Sequence, residues 1–213
     1  MKNNLRKFGL SIFATVMIAS ASLAQFEGEI IFEKNVGKIH VIYKYFVKGN
    51  DIRIEEVSED GTIDGIQLMD LDTKKTYALS PERKLWFETP NRRPAKSLDV
   101  EIKKTGETQE ILGKKCFELV VTNKAQDRKI VYWITKGDYE FFIPMLETLN
   151  RKENQAMFYL ETEGMENHFP MLSTEHVLST GAVVSTLKAE KIESKTINAE
   201  TFIIPKDYGK FER

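Results

Sequence analysis

A single cysteine, Cys116, among 213 residues rules out an intramolecular disulfide. Without a partner thiol, Cys116 reads as a small buried hydrophobe on a strand, not as a reactive or metal-binding group. Histidine is nearly as scarce. His40, His168 and His176 are the full complement, and with no HExxH or paired-cysteine spacing beside them no metal site or cofactor is expected. His176 reads as a structural histidine sharing a strand face with Leu172 and Leu178. Lys and Arg number 31 against 32 Asp and Glu, which leaves no basic footprint for nucleic acid. After the N-terminal stretch no uncharged run approaches the roughly 20 residues that a membrane-spanning helix needs. Pro/Gly/Ser-rich linkers, repeats and low-complexity tracts are also missing, so residues 25–213 are expected to form one domain with a core of its own.

The N-terminus carries what the rest lacks. Lys2, Arg6 and Lys7 precede an uncharged run from Phe8 to Ile18, and small residues follow at Ser22 and Ala24. This is the pattern of a secretory signal peptide over residues 1–24, with cleavage after Ala24; a retained anchor is the alternative. Cleavage would remove three positive and no negative charges, taking the formal charge from -1 to -4. The protein is therefore expected in the periplasm or secreted. Cys116 lies far from the cleavage point, so it cannot carry a lipid anchor there.

From Phe26 onward, apolar residues alternate with polar ones. In FEGEIIFEK, Phe26, Ile30 and Phe32 fall on one face while Glu27, Glu29 and Glu33 fall on the other, as in a strand with one wet side. IHVIYKYFVK, the turn KGND, DIRIEEV, GIQLMDL, TYALS and KLWFE continue the pattern. After a Pro/Arg/Asn-rich loop at 90–97 come LDVEIKK, KKCFELVVT, KIVYWIT, PMLSTEHVLS and AVVSTLKAEKI. These make about eleven antiparallel strands joined by tight turns. A flat sheet of that width tends to curl, so the expected fold is mainly β: a curved antiparallel half-barrel.

One segment changes period. Phe141, Phe142, Met145, Leu146 and Leu149 recur at three- and four-residue spacings behind a candidate cap at Asp138, with Pro144 in the first turn. One or two helices are thus expected on the concave face of the sheet. A membrane-surface helix is the rival reading, but its cationic face is thin.

Several short motifs lose their chemistry in context. Asp70 and Asp72 could open a calcium loop, yet Lys75 occupies the glycine position and Pro81 that of the closing glutamate, so a hairpin turn fits better. The cluster Glu55, Glu56, Glu59 and Asp60 reads as a solvated strand end. Ser185-Thr186-Leu187-Lys188 and Lys104-Thr105-Gly106 match elements of penicillin-recognising enzymes, but their order is reversed and Ser185 lies on a strand. No nucleophile, base and orienting group can be named together, and the expectation is a non-catalytic protein.

What is abundant is apolar and aromatic side chains. Met69, Trp86, Phe117, Trp133, Phe141, Phe142, Met145 and Met171 are the candidate lining of a cavity between sheet and helix. Phe87 and Phe158 belong to the same surplus. Such a cavity would hold a lipid, an acyl chain or a lipidated peptide. A filled core and a role as an envelope scaffold that binds a protein partner is the alternative.

The order VKGNDIRIEE, MDLDTKKTYALSPERKLWF, EILGKKCFELVV, IVYWIT and TINAETFIIPKDYGKF resembles an exported bacterial family known as domain of unknown function 4412. That family is similar to the LolA-like lipoprotein-carrier superfamily, and the resemblance implies an incomplete antiparallel barrel with helices over its concave face. It also implies handling of a hydrophobic ligand or lipoprotein in the periplasm. The sequence departs from the carriers in beginning with a strand, with no leading helix, which favours passive lipid or partner binding over lipoprotein shuttling.

Overall fold

The computed structural model describes residues 25–90, 97–149 and 151–212. The expected signal peptide at 1–24 and most of the loop at 90–97 lie outside the described residues. Alternating sequence and tight turns produce a first meander of six strands: β1 (Glu27–Val36), β2 (Ile39–Lys48), β3 (Asp51–Val57), β4 (Ile63–Asp70), β5 (Lys75–Ser80) and β6 (Leu85–Thr89). A second group holds β7 (Glu101–Ile111), β8 (Lys114–Asn123) and β9 (Arg128–Lys136). Two helices follow, α1 (Phe142–Leu149) and α2 (Asn154–Leu160), and then β10 (His168–Val177), β11 (Val183–Ser194) and the short β12 (Gly209–Lys210).

All twelve strands belong to one sheet in the order β12-β6-β5-β4-β3-β2-β1-β11-β10-β9-β8-β7. Its ends, β12 and β7, do not meet, so this is the curved, open antiparallel sheet with helices that the alternation predicts. The strand beyond the expected eleven is β12, whose two residues pair parallel to β6 and are too few to show a period.

The two meanders join where β1 pairs with β11, from Gly28 opposite Ser194 to Val36 opposite Ser185, with a bulge between Ile31 and Phe32. A side chain on Gly28 would put its Cβ 2.1 Å from the Glu193 carbonyl oxygen, so the seam closes only around glycine. Beside it Glu29 faces Glu193. Lys191 and Lys195 lie between these like charges: Lys195 Nζ donates to Glu29 at 2.7 Å and Lys191 Nζ to Glu193 at 2.8 Å. Burial pushes the Glu29 carboxyl up, but the two ammonium groups outweigh it and hold it below the usual 4.5.

The main core lies between the concave face and the helices. Its centre is aromatic: the Phe169 ring sits 4.7 Å from Tyr139, 4.8 Å from Phe142 and 5.5 Å from Phe32, centroid to centroid. Cys116 is fully buried in this core, on β8 as its isolation suggests. Helix α1 buries Phe142, Met145 and Leu146, so its apolar face packs inward and not on a membrane. It starts at Phe142, which leaves Asp138 four residues upstream and not at the cap. The intervening Tyr139 and Phe141 are drawn into the core, and the Phe142 amide donates to the Tyr139 carbonyl.

On the opposite face Ile66, Leu68 and Leu79 form a smaller cluster, joined by Tyr77 and Trp86 and covered by Ile204 and Tyr208 of the C-terminal segment. This segment runs back across β1–β3 as a strap. Lys48 Nζ donates to the Ile197 carbonyl at 2.7 Å, and Arg53 Nη1 to the Thr201 carbonyl at 3.2 Å. Glu55 is therefore not a solvated strand end. It is buried beneath the strap, 2.7 Å from Arg53, on a strand with neighbours on both sides. Asp70 accepts the amides of Asp72 and Thr73, as a hairpin turn requires, and these bonds lower its carboxyl.

Two outcomes follow from this packing. Phe169→Ala leaves a void among three rings and should cost about 3–5 kcal/mol by urea unfolding. Because the folded Glu29 has the depressed pKa, its contribution is present above the unfolded value of 4.5 and is lost as pH falls through the folded value. Melting temperatures of Glu29→Gln should therefore fall less steeply than those of the parent between about pH 7 and about pH 3.

Candidate hydrophobic groove

Helices α1 and α2 do not cover the whole concave face. Between them and strands β1, β2, β9, β10 and β11 lies a groove of about 610 Å³, its open mouth included. Phe32, Tyr45 and Tyr132 form its sheet wall, Phe142, Leu146, Leu149 and Ala156 its helix wall, and Leu187 and Pro170 complete the apolar lining. Lys34, Arg151 and Glu153 stand at the partly exposed end. A second space of about 370 Å³ adjoins it over β3–β5, and Tyr43 and Arg151 line both.

The register explains why these side chains meet. Cross-strand partners share a face, and Phe32 is opposite Tyr43 and Ala189, Lys34 opposite Leu187, Leu187 opposite Ser173, and Ser173 opposite Tyr132. One row across four strands thus points at the helices.

Polar ties fix α2 on this row. The Tyr132 hydroxyl donates to the Gln155 carbonyl at 2.8 Å, Gln155 Nε2 to the Ser173 carbonyl at 3.3 Å, and the Tyr159 hydroxyl to the His168 carbonyl at 3.1 Å. The buried Glu175 accepts from Asn154 at 2.7 Å, from Arg128 at 3.1 Å and from Ser185 at 3.2 Å, so the first turn of α2 is bonded to a paired carboxylate. Helix α1 is held by ring contacts, its Phe142 lying 4.8 Å from Phe169 and 5.3 Å from Tyr159. Burial pushes the Tyr45 phenol up to about 12, against the pull of Arg151, and raises Tyr43 and Tyr132 as well. All three remain protonated and able to donate near neutral pH.

Of the eight residues singled out from sequence, the structure places Phe142 on the groove wall. Met69, Phe141, Met145 and Met171 are buried in the main core. Phe117 and Trp133 are partly buried against that core, Phe117 edge-on to the His168 ring at 5.6 Å. Trp86 lies in the smaller cluster on the other face, 5.8 Å from Tyr77. Sequence reasoning missed Lys34, Tyr43, Tyr45, Tyr132 and Arg151. A signal for Lys34 existed: it continues the Ile30, Phe32 alternation as a cation on the apolar face. Arg151, in the connection between helices, carried none.

Among the described residues no group of three or more His, Cys, Asp or Glu side chains is placed to hold a metal ion, and no helix is long and apolar enough to cross a membrane. His40 is within 3.4 Å of Glu33, His176 Nδ1 within 3.2 Å of the Gly181 carbonyl, and His168 is edge-on to Phe117, each in a different part of the sheet.

An open antiparallel half-barrel with a helix-covered, predominantly apolar groove is the class these features define. The chain belongs to the family described as Domain of unknown function (DUF4412), whose model matches residues 26–208. No curated protein matches it. Among solved structures it is similar to an uncharacterized conserved protein from Thermus thermophilus, at 10% identity and a TM-score of 0.54, covering 87% of this chain and 89% of that one. That likeness shows the fold alone. Weaker superpositions include PNGF-II, with 14% identity and a TM-score of 0.48 over 89% of this chain, where the chain spans 32% of the longer protein. Another is the LolA superfamily protein NE2245 from Nitrosomonas europaea, with 11% identity and a TM-score of 0.35 over 85% of this chain and 91% of that one.

Tyr132→Phe removes the hydroxyl that anchors α2 and should cost about 1 kcal/mol. Amide exchange in α2 should rise while exchange in β1 and β2 stays unchanged.

Proposed function

We propose that residues 1–24 direct export, and that residues 25–213 act as one unit in the periplasm or outside the cell. There they bind a hydrophobic ligand, a lipid, acyl chain or lipidated peptide, without turning it over. The observation that carries this reading is the groove itself, which rings and aliphatic side chains line on both walls, while the charged Lys34, Arg151 and Glu153 stand at the open end and the polar Gln155 and Ser173 are buried and bonded to each other. The open half-barrel supports the reading, because an unclosed sheet leaves its concave face to be covered by something other than strands.

Native mass spectrometry of the protein purified from its own envelope tests the reading. A lipid-sized mass should co-purify and disappear on delipidation. A stable protein complex with no small mass would instead support an envelope scaffold. Refilling the groove is the complementary test: Ala156→Trp places an indole against Tyr132 and Leu146. A ligand present at 100 times its Kd should raise parent stability by about 2.7 kcal/mol, and this gain should be lost in the variant.

A further inference from the structure

Resting on the groove reading, we infer that the ligand is a single-chain amphiphile with a carboxylate head, a fatty acid, held by Lys34 and Arg151. Lys34 comes from β1 and Arg151 from the connection between α1 and α2, and both line the exposed end of the apolar groove. Their side chains are only 17% and 24% exposed, so both cations are largely withdrawn from water.

Their partner is inadequate. The two cations share one carboxylate oxygen, Glu153 Oε1, at 3.9 Å from Lys34 Nζ and 3.7 Å from Arg151 Nη1, both beyond hydrogen-bond length. The Arg151 guanidinium also lies 6.0 Å from the centre of the Tyr43 ring and interacts with the Tyr43 hydroxyl, contacts that orient it but bring it no second carboxylate. Glu56, the other carboxylate beside Arg151, is exposed on β3.

Two partly desolvated cations around one loosely placed oxygen form a site that a second carboxylate completes. A guanidinium takes a carboxylate through two parallel N–H donors, and an ammonium adds a third. The protonated Tyr43 and Tyr45 phenols extend the donor set toward the groove. The chain would lie along the apolar remainder beneath Phe142 and Leu146. Several chains, as on a lipidated peptide, would exceed about 610 Å³ that already includes the mouth.

Calorimetric titration of the purified, delipidated protein with dodecanoate, dodecanol, dodecyltrimethylammonium and acetate tests the assignment at a pH where the acid is ionised. Dodecanoate should bind about tenfold more tightly than dodecanol, the gain expected of one charge-assisted hydrogen-bonded pair. Dodecyltrimethylammonium should be weakest of the three chains, and acetate should not bind measurably. In the double variant Lys34→Gln, Arg151→Gln the acid and the alcohol should come within about twofold of each other. Glu153→Gln should move the preference the other way, toward the acid, a change that loss of folding cannot imitate. Equal binding of acid and alcohol by the parent, or an unchanged preference in the double variant, would overturn the carboxylate assignment and leave the groove reading in place. Failure of every chain to bind would overturn the groove reading itself.

Discussion

A concave sheet of long strands must be covered, and this chain supplies two short helices to do it. Strands of ten residues such as β1, β2 and β10 extend about 33 Å, whereas α1 and α2, at eight and seven residues, reach about 12 Å and about 10 Å. The helices shield the sheet around Phe169, Tyr132 and Ser173 and leave the Lys34 and Leu187 end of the row incompletely roofed. Groove and core are therefore two parts of the same surface, divided by where the helices end.

How the helices are held decides what kind of groove results. Helix α2 is bonded to β9 and β10 through Tyr132, Gln155, Tyr159 and Asn154, bonds that depend on orientation and resist sliding. Helix α1 rests on packed rings, with Phe142 against Phe169 and Tyr159. The cations at the mouth sit where the helix connection meets β1, so headgroup and chain would be read by different elements.

The opposite face is managed differently. The C-terminal strap covers Ile66, Leu68 and Leu79, adds β12 beside β6, and brings Arg53 and Lys48 onto backbone carbonyls. It removes that apolar face from solvent, whereas the concave groove stays open at its charged end.

Alternation alone determined the strands, their turns and the sidedness of β1, β2 and β9, because the pleat has period two and any residue's face follows from its neighbours. The helical spacing from Phe142 to Leu149 was likewise visible, as was the solitary burial of Cys116. What alternation cannot say is which of two apolar faces lies inside, and so Trp86 and Phe142 looked equivalent although they end on opposite sides of the sheet. Nor can it bring Arg151 to Lys34, more than a hundred positions apart in the chain. That meeting depends on the β1–β11 seam, which closes the two meanders on each other, and on the direction in which α1 leaves the core. Local periodicity sets each element, whereas the groove and its charged mouth arise from long-range pairing, which no single stretch of residues encodes.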